Sequence, residues 1–67
     1  MPYVNIKLGG KGATKEQKEE IMKGVTAVIS EVMNKKPSAT YVVIEEIDTD
    51  NWGVGGESLT ELRKKTT

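Results

Sequence analysis

The sequence predicts an α+β fold: a single βαβ unit with parallel strands, followed by a C-terminal β-hairpin or glycine ribbon. Three observations predict it. Residues 3–8 alternate in polarity, residues 14–34 carry apolar side chains at helical spacing, and residues 40–47 are rich in β-branched types. Two strands joined by a long helix cannot be a hairpin; they lie parallel, with a right-handed crossover. No repeat, linker or second composition regime interrupts residues 1–67, so one domain is expected.

In the first strand Val4, Ile6 and Leu8 fall on one face and Tyr3, Asn5 and Lys7 on the other, the period of a half-buried strand. It stops at Gly9-Gly10-Lys11-Gly12, a flexible loop. Thr14-Lys15-Glu16-Gln17 fits a capping box, in which the threonine hydroxyl and the glutamine side chain each satisfy a backbone N–H. Ile21, Val25, Val28, Ile29, Val32 and Met33 then form one apolar stripe. Glu19 and Lys23 stand at the spacing of a favourable i,i+4 pair. The helix is expected to end near Asn34, with Lys35 and Lys36 at its negative end and Pro37 forbidding continuation.

Thr40 to Ile47 reads as the second strand. The acidic turn Asp48-Thr49-Asp50-Asn51 leads into Trp52-Gly53-Val54-Gly55-Gly56, a composition that suits a hairpin or bulged ribbon. Glu57 to Lys65 is expected to be a short helix with Leu59 and Leu62 facing inward.

A chain of this length buries only about 60% of the surface its unfolded form exposes, so its own core is marginal. With no cysteine and no histidine, disulfides, thiolate chemistry and the commonest zinc sites are excluded. Partner subunits are the remaining source of stability. Ten basic residues against ten acidic ones give a formal net charge of zero, which argues against non-specific nucleic-acid binding. No apolar run approaches a membrane span and no leader pattern is seen, so a soluble cytoplasmic protein is expected.

Both glycine clusters fail as nucleotide motifs. A phosphate loop needs glycine four residues before its Gly-Lys pair and Ser or Thr after the lysine; Asn5 and Gly12 stand there instead. Gly53 to Ser58 lacks the last glycine of the dinucleotide fingerprint and opens no long helix. Glu45, Glu46, Asp48 and Asp50 crowd together without EF-hand spacing and read as a charged rim, so no metal is expected. Lys11, in a loop beside a helix N-terminus, suits an anion such as a carboxylate. Trp52, the only tryptophan, must cover a helix, a neighbouring subunit or a ligand. Tyr41 is either a packing residue or a phenol aimed into a pocket.

Pro2, directly behind the initiator methionine, has two readings. Proline is acceptable at the first residue of a strand, where no ladder donor is needed. If Met1 is removed, however, its nitrogen becomes a secondary amine that can take a proton, which an amide cannot.

Taken together, Pro2, the strand through Leu8, Glu16-Gln17-Lys18 opening the helix, Ile44 to Ile47, and Trp52-Gly53-Val54-Gly55-Gly56-Glu57 with Arg63 following resemble the 4-oxalocrotonate tautomerase family. The resemblance covers essentially the whole chain. It implies hexamers built from dimers, a four-stranded sheet per dimer, and no cofactor. It also implies that Pro2 is the acid–base for keto–enol tautomerisation of a small unsaturated 2-oxo acid. Leu8 and Trp52 would then wall the pocket.

The family's two substrate-binding arginines are not matched. The loop arginine's position falls on Ala13 or Gly12, according to the residue from which it is counted, and Lys11 is the nearest cation; the strand arginine's position falls on Tyr41. Lys11 can hold a carboxylate as a point charge rather than a bidentate fork, and Tyr41 can donate one hydrogen bond. The implication is an enzyme with the proline base kept and carboxylate recognition altered. Two alternatives stand beside it: a proline-dependent dehalogenase or decarboxylase on the same scaffold, and a non-catalytic oligomeric binding module.

Overall fold

The structure, a computed structural model, describes residues 1–66, so the last residue of the expected 1–67 unit lies outside the described residues. Strand β1 (Tyr3–Gly9) runs into helix α1 (Lys15–Met33), which returns the chain to strand β2 (Tyr41–Ile47). Two short strands, β3 (Gly53–Val54) and β4 (Glu57–Ser58), precede helix α2 (Leu59–Thr66). Single 3₁₀ turns occupy Pro37–Ala39 and Thr49–Asn51.

β1 and β2 pair in parallel from Tyr3↔Tyr41 to Gly9↔Ile47. Partners in such a ladder share a face, so Val4, Ile6 and Leu8 stand beside Val42, Ile44 and Glu46. That face receives α1: Lys18 on the helix reaches the Glu46 carboxylate at 2.6 Å. Tyr3, Asn5 and Lys7 stand beside Tyr41, Val43 and Glu45 on the other face.

Both ends of α1 follow the sequence. The Gln17 N–H donates to Thr14 Oγ1 at 3.0 Å, and the Thr14 N–H donates to Gln17 Oε1 at 2.8 Å. At the far end Asn34 takes the left-handed conformation, φ 55°, and its N–H donates to the Ser30 carbonyl. Asparagine tolerates that region and stops the helix there. The expected Glu19–Lys23 pair does not form among the described residues; it is Lys18 that finds a carboxylate, across on the sheet.

The glycine ribbon is a hairpin. Gly55 and Gly56 both have positive φ, 60° and 90°, as a two-residue turn between twisted strands requires. Because Glu57 and Ser58 pair back onto β3, the terminal helix begins at Leu59 rather than Glu57. Leu59 and Leu62 are half-buried, on the side expected of them.

None of the described residues is fully buried. The radius of gyration is 15.2 Å, against about 11 Å for a compact chain of this length. The accessible surface is 5180 Å², against about 4200 Å² for a compact monomer of this mass. Much of the C-terminal part of the α1 stripe stands open: Val28 is 59% exposed and Val32 78%. The apolar pattern is therefore larger than one chain can cover. No helix is long and apolar enough to cross a membrane among the described residues.

Candidate active site

Pro2 enters the sheet through its carbonyl, which accepts the Tyr41 N–H at 2.9 Å. Its nitrogen takes no part in the ladder. While Met1 remains attached that nitrogen is an amide; Met1 itself is 85% exposed. The Tyr41 side chain, 54% exposed, stands with Tyr3 on the face away from α1. Thr40, one residue earlier, has a buried Oγ1 with no hydrogen-bond partner among the described residues. Sequence reasoning did not single it out, since only three-dimensional packing shows a hydroxyl to be shut away.

The cations lie at the opposite end of the same strand. From Pro2 to Leu8 is six residues of extended chain, about 20 Å. Beyond Leu8, Lys11 and Arg63 line one recess of about 400 Å³ together with Glu46, Asp48 and Thr49. Arg63 reaches it from α2, donating from Nη2 to the Gly9 carbonyl at 3.1 Å. Gly10 beneath has φ 99°, and a Cβ there would stand 3.3 Å from Arg63 Nη1 and from a Thr49 methyl carbon. In the sequence Arg63 is only one residue of the family resemblance. Its place beside Lys11 depends on α2 folding back over the strand end, which no local pattern encodes.

Leu8 and Trp52 sit on opposite faces of the sheet. Leu8 lines a recess with Ala13, Gln17 and Ile21 on the α1 side. Trp52 is half-buried against Gly9 and lines a recess with Lys7, Ile47 and Asn51 on the other. A Cβ on Gly9 would lie 2.6 Å from Leu59 Cδ1 and 3.7 Å from the indole, so the C-terminal segment packs closely on this glycine. One chain thus brings Pro2 and Tyr41 together at one end and Lys11 and Arg63 at the other, with Leu8 and Trp52 near the latter but divided by the sheet.

Two carboxylates on β2 carry negative charge into this arrangement, one on each face of the sheet. Hydrogen bonds from Lys7 and then Asn5 hold Glu45 below the ordinary carboxylate value; the Lys7 Nζ lies 2.7 Å away. A hydrogen bond from Lys18 holds Glu46 low in the same way, against a smaller opposing effect of burial. Both groups are anions at neutral pH. Among the described residues no three acidic, histidine or cysteine side chains converge as a metal site would need.

A parallel βαβ unit with a glycine hairpin at the far strand end defines a small α+β class, and comparison with known proteins makes the class specific. The family described as "Tautomerase enzyme" matches residues 2–62. A probable tautomerase K2 of Dickeya dadantii is 46% identical over 67 residues, covering all of both chains. The 2-hydroxymuconate tautomerase of Bacillus subtilis is 34% identical over 62 residues, 92% of this chain and 98% of its own. The crystal structure of DmpI from Helicobacter pylori superposes with a TM-score of 0.87 at 42% identity, covering 94% of this chain and 97% of that one. This chain belongs to the tautomerase family. It is an isomerase enzyme, and the parallel βαβ unit with C-terminal strands is the family fold.

Proposed function

We propose that this enzyme moves a proton between the keto and enol forms of a small unsaturated 2-oxo acid, with Pro2 as acid–base once Met1 has been removed. The observation that carries this reading is the family match beginning at residue 2, where Pro2 heads β1 with its carbonyl anchored and its nitrogen outside the ladder.

The chemistry follows from the nitrogen. An ordinary α-amino group titrates near about 7.7–8.0, and a secondary amine lies higher. Burial among apolar groups penalises the cation and favours the free base. That base removes a proton next to a carbonyl and returns it further along the conjugated chain, acting as acid in the second half. Donors placed at the carbonyl stabilise the dienolate oxygen as its charge grows.

In this reading Leu8 and Trp52 supply the apolar wall, Lys11 holds a carboxylate, and Tyr41 donates to the carboxylate or carbonyl. Because Pro2 and Lys11 lie at opposite ends of β1, the site is assembled from more than one chain. Single-domain protomers of residues 1–67 pair their sheets into four strands, and three such dimers make a homohexamer in the cytoplasm. The uncovered α1 stripe and the excess surface of the isolated chain support the assembly.

The test is Pro2→Ala in fully processed protein. The variant keeps its oligomeric mass and loses turnover on an enolisable 2-oxo acid by about 10²–10⁴-fold. Unchanged turnover refutes the mechanism.

A further inference from the structure

Glu46 breaks the pattern of its own strand. Val42 and Ile44 precede it on the face toward α1, and its partner across the ladder is Leu8, so the position calls for an apolar side chain. A carboxylate stands there instead, and Lys18 Nζ meets it at 2.6 Å. Lys18 belongs to the first turn of α1, one turn beyond the Thr14 cap.

The next residue of β2 completes the arrangement. The Ile47 carbonyl accepts the Gly10 N–H at 2.6 Å. Glu46 and Ile47, adjacent in sequence, thus hold the two ends of the connection between β1 and α1, one by a side-chain ion pair and the other by a backbone hydrogen bond. Lys11 lies between those anchors, and it lines the same recess as Glu46. The Gly12 backbone N–H and the Lys11 charge both favour the ionised carboxylate.

From this geometry we propose that Glu46, held by Lys18, is a positioning residue that fixes the loop presenting Lys11. The inference rests on the role given above to Lys11 and assigns that role a support. The direct pairing of Glu46 is with Lys18, so the ammonium of Lys11 is left toward the recess. Loss of Lys18 would turn the carboxylate into a competitor for Lys11, and loss of Glu46 would release the loop.

Two readouts on processed, assembled protein test it. The first is amide hydrogen exchange at residues 11–13. Glu46→Ala speeds exchange there by about tenfold while the β1–β2 ladder amides keep their protection; unchanged exchange overturns the proposal, whatever the kinetics. The second is steady-state turnover of a conjugated 2-oxo dicarboxylate against its monocarboxylate counterpart. Glu46→Ala and Lys18→Met each raise KM for the dicarboxylate by about tenfold, with kcat within about twofold. Adding Glu46→Gln to Lys18→Met leaves that KM no higher than in either single variant, since the tie is already lost and no competing charge remains; a double variant with a KM well above both overturns the proposal. Faster loop exchange with no KM difference in either Glu46→Ala or Lys11→Ala overturns the role of Lys11 in binding and leaves the loop tie standing. The two failures are therefore distinct.

Discussion

The Tyr41 N–H donates to the Pro2 carbonyl at 2.9 Å, joining the first residue of the expected mature chain to the first residue of β2. The bond uses the oxygen and leaves the nitrogen uncommitted. The oxygen anchors the residue, and the nitrogen is left for the proposed acid–base role.

That division predicts the effect of an extra N-terminal residue. Protein that retains Met1 keeps the Pro2–Tyr41 bond, and its melting temperature stays within a few degrees of the processed form. Its turnover is abolished, because an amide nitrogen is not a base. Intact mass and activity measured on the same fractions check both halves.

Gly10 carries a second expectation. With φ at 99° and Arg63 and Thr49 at 3.3 Å from where a Cβ would stand, Gly10→Ala is strained in both backbone and space. The expected cost is about 1–3 kcal/mol, together with displacement of the Arg63 guanidinium from the Gly9 carbonyl. Denaturant unfolding measures the first; the crystal structure of the variant shows the second.

The Lys7–Glu45 pair sets a pH dependence. Glu45 titrates below its ordinary value of 4.5 in the folded chain, because Lys7 and Asn5 donate to its carboxylate. A depressed folded value means the unfolded chain binds the proton more readily. The contribution is present above that ordinary value and is lost as pH falls through the folded one. Melting temperature should fall on acidification below about pH 4.5, and Glu45→Gln should flatten that part of the curve. An identical profile in the variant would show that Glu45 is not the group responsible.

Lys11→Ala should raise KM by about tenfold for a dicarboxylate, the scale of a hydrogen bond to a charged group, and less for a monocarboxylate. Equal effects on the two substrates would remove Lys11 from the pocket.

Much of the fold was legible from residue order. The alternation through Leu8, the Thr14–Gln17 box and the glycine pair at 55 and 56 each act over a few residues, so neighbours in sequence suffice to read them. Glu19 and Lys18 show the limit. Spacing along α1 matched Glu19 with Lys23, but the ion pair of α1 among the described residues joins Lys18 to Glu46, 28 residues away, a pairing that spacing along the helix does not encode. Arg63 is similar: its proximity to Lys11 comes from α2 folding over Gly9, and nothing within a turn of Arg63 announces it.

By itself the sequence determined a parallel βαβ unit, the caps that bound its helix and a proline whose nitrogen can become basic, since these depend on backbone chemistry and short-range periodicity. Tertiary structure decided that Pro2 and Lys11 occupy opposite ends of one strand and that Leu8 and Trp52 are divided by the sheet. Such facts depend on which distant segments share space. The physical reason is the extended strand itself: at about 3.3 Å per residue it carries residues near in sequence far apart, so proximity must be restored by contacts between elements.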